Sequence, residues 1–434
     1  MTGTVTVTGR DPRRIFAYFV PLTLLIYLVA PENLLDIPTT YMLKNQLHAS
    51  AAQVSMFRLL TAIPIYCAVI FGLLRDLWDP LGLRDRGFLL LFAPLTALIY
   101  GWMAMGHISY DALLLGMTVA MLGFRFVIAA YQGLIALVAQ EALMSGRLSM
   151  LWNAGSYLPL SLAIFAAGFI SERMTPRETF LIAAVLTLLV ALFGLWKPAA
   201  VFSHTYDQPE ARGLDLKGDL QRLVRHRAVY PAVLINFLWY FTPGIGTPMQ
   251  YYLTNQLHTS DALFANYYGI YTLSFLPTIL LYGFLCTRIR PRRLLWLSAC
   301  IGVPQMVPLA WVHSGHMALL MAVPMGLMGG LANGAFYDLA VRSCPPGLQG
   351  TFMMLVLALI ALGYRGSDLL GSLIYASSPA HGFQYCIAAM IGVYTLILPI
   401  IALVPKPLTA NADGEPSQKT KSTVALNRLT VPPG

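Results

Sequence analysis

Apolar runs of about 20 residues, each long enough to cross a hydrocarbon layer of roughly 30 Å, recur along nearly the whole chain and rule out folding around a single water-shielded core. Twelve can be read, at 14–44, 51–74, 87–106, 109–138, 148–171, 179–199, 228–255, 262–286, 294–312, 316–341, 350–375 and 383–404. They are continuous rather than alternating, so helices are expected and a barrel, which needs polar inward positions, is not. The composition agrees, because 57% hydrophobic and 11% charged residues over 434 positions place most of the chain in lipid. The expected fold class is all-α integral membrane with twelve transmembrane helices.

With the N-terminus placed in the cytoplasm, 22 of the 28 Lys and Arg residues fall in cytoplasmic segments. The outer loops then hold Lys44, Arg173 and Arg177, and Arg58, Arg125 and Arg365 lie within helices. That asymmetry predicts a multi-pass protein of the cell (inner) membrane with both termini inside. The net charge of +9 follows from this topology and calls for no nucleic acid. Leu28-Val29-Ala30 imitates a signal cleavage site, but its segment runs on helically through Tyr41. The cysteines Cys67, Cys286, Cys300, Cys344 and Cys386 are scattered and imply neither a disulfide framework nor a metal site.

YMLKNQLHAS at 41–50 returns as YYLTNQLHTS at 251–260, with seven of ten letters identical at an offset of 210. Each copy ends the first helix of a half and turns into the second, so the chain reads as two six-helix pseudo-repeats, an arrangement common in transporters. Asn45 and Asn255 are expected to end or cap helices, Ser50 and Ser260 to start them. His48 and His258 are therefore structural before they are catalytic. The expected divisions are an N-terminal half at 1–200, a cytoplasmic linker at 201–227, a C-terminal half at 228–405 and a disordered tail at 406–434. Within the linker, Leu214 to Arg225 has helical spacing.

Two sixes, a central linker and a basic turn after the second helix of each half resemble the major facilitator superfamily. GLLRDLWDPLGLRDRGFLL at 72–90 departs from that superfamily's usual loop by extra residues between Asp76 and Gly82, and resembles the folate-biopterin transporter family. NFLWYFTPGIGTPMQYYLTNQLHTS at 236–260 and CPPGLQGTFMMLVLALIALG at 344–363 resemble the same family's seventh and eleventh helices, while Asp85 interrupts the expected basic run. The resemblance implies the major facilitator fold, in which helices 3, 6, 9 and 12 face lipid, and it implies a monomer.

An ionisable side chain near the bilayer centre costs about 2.5 to 3.5 kcal/mol on insertion scales, so each needs a reason. Glu32, Asp36, Arg58, Arg125, Asp338, Arg365 and Asp368 lie on helices 1, 2, 4, 10 and 11. Glu32 and Asp36 share a helix face at i, i+4. At the offset of 210 they align with Thr242 and Gly246, so the scaffold itself does not require them, and they are assigned to proton coupling. Asp36 and Arg58 share a depth and are expected to pair. Arg125 and Arg365, one from each half, are assigned to a substrate carboxylate or other planar anion. Arg365 has a second possible partner in Asp368. Tyr131, Trp239, Tyr267 and Tyr271 complete the substrate set as stacking surfaces for a flat heterocycle such as the pterin that the resemblance implies. Tyr240, Tyr251 and Tyr268 belong to the same aromatic group. Arg58, Asp76, Asp338, Arg342 and Asp368 are assigned to gating, and Pro38, Pro243, Gly246 and Pro248 to hinges.

The expected function is secondary active transport of a small polar organic solute by alternating access, coupled to protons or another ion and needing no cofactor. Carriage of cell-wall fragments, efflux of an amphiphile, or a non-transporting assembly factor of the same shape are the alternatives. No nucleotide loop and no nucleophile–base pair points to an enzyme.

Overall fold

The computed structural model of the chain describes residues 11–106, 109–202, 216–378 and 380–415, which form helices and turns. Numbered in chain order, span 1 is Pro12–Val29, Pro31–Leu34 and Asp36–Tyr41; span 2 is Ala51–Thr61, Ile63–Tyr66 and Ala68–Leu77; span 3 is Asp85–Met105 and span 4 Tyr110–Glu141. Span 5 is Ser145–Arg173 and span 6 Pro176–Leu195. After the linker helix Leu216–Arg225, span 7 is Val229–Tyr240 and Thr247–Tyr251, and span 8 is Asp261–Leu273 and Leu276–Leu285. Span 9 is Pro291–Gly302 with Val303–Trp311, span 10 Gly315–Ser343, span 11 Gln349–Ala376 and span 12 Gly382–Thr395 with Ile397–Ala402. Among the described residues ten helices are long and apolar enough to cross a membrane; the helices labelled spans 5 and 7 are not among those ten.

Starts follow cap chemistry. Ser50 and Thr175 form capping boxes with Gln53 and Glu178, and Ser109, Ser260 and Ser314 each accept a hydrogen bond from the third backbone N–H that follows. The repeated decapeptide proves to be one device built twice. Met42–Gln46 and Tyr252–Gln256 are π-helical turns, and His48 (φ 49°) and His258 (φ 52°) then reverse the chain in the left-handed region. Histidine is among the few non-glycine residues enriched there. Ala49 N–H donates to the Leu43 carbonyl at 2.9 Å and Thr259 N–H to the Leu253 carbonyl at 3.0 Å, closing each turn before the serine caps the next helix. The expectation that Asn45 and Asn255 end the helices is corrected, because both sit inside the π turns and the histidines make the reversal.

Spans 3 and 6 pack together, with Tyr100 stacked near Phe180 at 6.4 Å, and leave Leu95, Leu98, Val185, Leu188 and Leu192 exposed. Exposed apolar side chains on such a scale mark a lipid-facing surface. The bonds joining the two halves gather toward the end that carries the basic loops, here called the basic end. Gln140 Nε2 donates to the carbonyls of Val341 and Cys344 at 2.9 and 3.0 Å, and Ser149 Oγ to that of Gly334 at 2.7 Å. Span 2 lies on span 11 so closely that a Cβ on Gly72 would strike the Gly350 carbonyl.

Residues up to Glu415 correct the expectation of a tail disordered from 406. Lys406–Thr409 is a 3₁₀ turn and the Asp413 carboxylate is buried; residues 416–434 of that expected tail lie outside the described residues. The linker helix Leu216–Arg225 matches the helical spacing of its sequence, and the rest of the expected linker to 215 lies largely outside the described residues.

Gly72→Val is expected to separate spans 2 and 11 and to destabilise the detergent-solubilised protein by about 1–3 kcal/mol, the usual cost of overpacking. Gly101→Val, at a position where a Cβ would meet nothing within 4 Å, is the control, and the apparent Tm followed by tryptophan fluorescence is the measurement.

Candidate substrate cavity between the halves

Spans 1 and 7 are broken within one residue of the same repeat position. The chain leaves the helix at Ala30 (ψ 127°) in span 1 and at Phe241 (ψ 89°) in span 7. Non-helical backbone at membrane depth survives only where other groups satisfy it. Pro31 has no N–H to offer the Tyr27 carbonyl, and Asn33 Nδ2 takes its place at 2.7 Å. In span 7 Asp368 accepts from Thr247 N at 2.7 Å and Thr247 Oγ1 at 2.8 Å, capping the outer piece. A Cβ on Gly246 would strike that carboxylate. The break in span 7 therefore falls among the proposed hinge residues Pro243, Gly246 and Pro248. Pro38 lies inside Asp36–Tyr41, and the distortion attending it is one turn back at Leu35; the larger break at Ala30 was not anticipated.

Both breaks open onto a cavity of about 440 Å³ lined from both halves. Its charges are Glu32 and Arg125, which pair through Oε1 and Nη2. Glu32 Oε2 and Arg125 Nε remain buried without a partner. Trp152 and Tyr157 of span 5, Trp239 and Tyr240 of span 7, and Tyr271 and Phe275 of span 8 supply most of the aromatic wall.

The cavity floor is a polar layer that crosses the halves. Asn333 Oδ1 accepts from Trp239 Nε1 at 2.9 Å and Tyr240 OH at 3.1 Å, while its Nδ2 donates to Asn153 Oδ1 at 3.0 Å and Tyr157 OH at 2.8 Å. Tyr337 OH donates to Gln132 Oε1 at 2.5 Å and its ring stacks on Trp152 at 3.7 Å. This layer ties spans 5, 7 and 10 together, and spans 4 and 10, beside the cavity.

Of the expected substrate residues, Arg125, Trp239 and Tyr271 line the cavity. Arg365 does not: it is exposed, and Asp368, its expected i+3 partner, is engaged by Thr247 instead. Tyr131 is turned into the first half, sharing a 2.7 Å hydrogen bond with Thr23 Oγ1, and Tyr267 is buried outside the cavity. Glu32 and Asp36, expected to act from one face, are separated by the kink at Leu35 and have different partners. Asp36 and Arg58 pair at 3.4 Å, both nearly half exposed at 46% and 45%. Asp338 accepts from Arg342 Nε at 2.9 Å and from Tyr282 OH at 2.8 Å. Asp76, beside Arg75, caps span 11 by accepting from Gly350 N and Thr351 N at 3.1 and 2.6 Å. The Asp85 that departs from the family pattern is no defect, since both its oxygens accept from Arg75 at 2.5 Å.

Trp152, Tyr157, Gln305 and the amide hub Asn333 were missed by reasoning confined to ionisable groups and to aromatics of spans 4, 7 and 8. Uncharged amides in mid-run, Asn153, Gln305 and Asn333 among them, were the available signal.

A two-sided bundle with paired broken helices around a largely aromatic cavity holding one charge pair is the architecture of a membrane transporter. The chain belongs to the Major Facilitator Superfamily, whose family profile matches residues 15–364. A folate-biopterin transporter of Synechocystis sp. (strain ATCC 27184 / PCC 6803 / Kazusa) is 24% identical over 426 residues, covering 91% of this chain and 83% of that protein. Folate transporter 1 of Plasmodium falciparum (isolate 3D7) is 22% identical over 289 residues, covering 65% and 55%. The fold matches the E. coli fucose:proton symporter FucP with a TM-score of 0.68 at 16% identity, over 90% of this chain and 99% of that one. The human organic anion transporter MFSD10 gives 0.67 at 16%, over 90% and 100%.

Asn333→Ala is expected to lower the apparent Tm, at a cost of about 1–3 kcal/mol for each polar group left buried and unpaired. Thermal unfolding in detergent, against Asn333→Gln as the partly conservative comparison, measures it.

Proposed function

We propose that this membrane transporter carries a small planar heterocyclic solute of the folate or pterin kind by alternating access, coupled to protons. The Glu32–Arg125 pair, alone in its charge among aromatic walls, carries the proposal. The relatives' names support the solute class. The cavity chemistry also suits it, because aromatic faces stack on flat rings and the unpartnered Glu32 Oε2 accepts ring N–H groups. Arg365 is not among the residues that line the cavity, but it neighbours the lining Tyr364 and lies close enough to the lining Tyr268 to act on it electrostatically, so Arg125 is the guanidinium assigned to contact the solute.

Coupling follows from charge balance. A solute carboxylate that takes Arg125 from Glu32 would leave two carboxylates at one guanidinium in a low-dielectric site, and a proton on Glu32 removes that cost. Solute anion and proton then enter together. Asp36 and Arg58, more exposed and without contact to the cavity, form an ion pair within the first half and take no part in the coupling step. In this reading the basic end is cytoplasmic, the inter-half bonds gathered there suit an outward-facing state, and the protein works as a monomer in the cell membrane.

A ligand at about 100 times its Kd raises stability by roughly 2.7 kcal/mol, so pterins and folates are expected to raise the apparent Tm of the purified protein, and Arg125→Ala to lose the shift. In proteoliposomes Glu32→Gln is expected to abolish uptake driven by a pH gradient while solute counterflow persists, and Asp36→Asn to keep the pH response. Normal pH-driven uptake by Glu32→Gln would remove Glu32 from coupling.

A further inference from the structure

The two halves close at the basic end by the same physical device, but the carboxylates come from different places. A helix N-terminus leaves backbone N–H groups unpaired and a partial positive charge, so a buried carboxylate there is stabilising. Span 11 of the second half receives that carboxylate from Asp76 at the end of span 2. Gly350, which leaves room for the approach, has Asp76 Oδ1 2.7 Å from where its Cβ would stand. Span 5 of the first half presents the same arrangement with Gly146. The residue at the repeat offset of 210 from Asp76 is Cys286, at the end of span 8. Its Cβ lies 2.6 Å from where a Gly146 Cβ would stand, so it fills the place of Asp76 without a carboxylate.

Asp413, beyond span 12, supplies what Cys286 lacks. Its oxygens accept from Gly146 N at 3.1 Å and Arg147 N at 3.0 Å, and its side chain is 1% exposed against 2% for Asp76. Arg342 Nη2 donates to it at 2.7 Å from the base of span 10. The adjoining backbone is held as well: Gly414 N–H donates to the Leu143 carbonyl at 2.8 Å in the first half, and Asp413 N–H to the Cys286 carbonyl at 3.2 Å in the second. Residues 411–414 therefore bridge the halves at the end that must part for the cavity to open there.

We propose that this segment is a latch: Asp413, reaching over from the chain that follows span 12, caps span 5 and holds the basic end closed, in the role that Asp76 performs for the opposite seam. The bonds to span 5 are specific to the closed arrangement, because Asp413 stays tethered to the second half through span 12. Losing them shifts the population toward opening at the basic end. The proposal rests on the alternating-access reading, and a distance measurement without solute separates its failure from that of the solute or coupling assignment.

Full-length chains with exposed Cys67 and Cys300 replaced by serine carry spin labels at Leu81→Cys in the first half and Thr287→Cys in the second, and pulsed dipolar spectroscopy reads their separation. Asp413→Asn is expected to raise the ratio of long to short distances on the order of tenfold. Asp413→Ala is expected to do the same, and Asp413→Ala with Cys286→Asp, which returns a carboxylate on span 8 itself, to restore the short distance. Unchanged distances in Asp413→Asn overturn the latch. A chain that fails to accumulate without Asp413 and is not recovered by Cys286→Asp shows a tail needed only for assembly, which also overturns it.

Discussion

Everything at the centre of this protein follows from the cost of an unsatisfied backbone group in lipid. Spans 1 and 7 abandon the helix midway, and the freed groups have to be met by side chains. Asn33 answers for the proline in span 1, and Asp368 for the restart of span 7. Those repairs let Glu32, Asn33, Tyr240 and Thr242 turn toward a shared space without exposing broken backbone to hydrocarbon. The cavity is thus a consequence of where the helices break, and the breaks survive because the cavity surrounds them.

Closure uses a second device, the carboxylate at a helix start. Asp76 at span 11 and Asp413 at span 5 tie each half to the other at the basic end, each beside arginine and each against a glycine. Above them, Asn333 gathers donors and acceptors from spans 5 and 7 into the floor of the cavity. Such bonds hold firmly when made and can be exchanged as units, because every partner is polar and none depends on interlocked apolar shape. Glycines at the seams permit the close approach that makes them short. The outer faces of spans 3 and 6, by contrast, present exposed Leu95, Leu98, Val185, Leu188 and Leu192.

The fold was largely legible from the sequence, because its signals are local. Apolar run length marked the spans, Ser50 and Ser260 marked the starts of the second helix in each half, and the repeated decapeptide exposed the two halves. Pro243 and Gly246 also located the break in span 7. The site was legible only in part. Glu32, Arg125, Trp239 and Tyr271 do line the cavity, but Glu32 was separated from Arg125 and grouped with Asp36, and Arg365 is not among the lining residues. Hydropathy does not report helix rotation, and a kink at Leu35 is enough to turn two carboxylates at i, i+4 toward different partners.

By itself the sequence determined the solvent of this chain and its duplication, since both rest on runs of neighbouring residues and on the thickness of a bilayer. Only the tertiary structure decided the pairings: Glu32 with Arg125, Asp368 with Thr247, Tyr337 with Gln132, and Asp413 with the start of span 5. The last joins residues separated by 267 positions. The reason is geometric, for a charged or amide group can be satisfied by any partner at its depth, and which partner comes within 3 Å depends on how the helices rotate and cross.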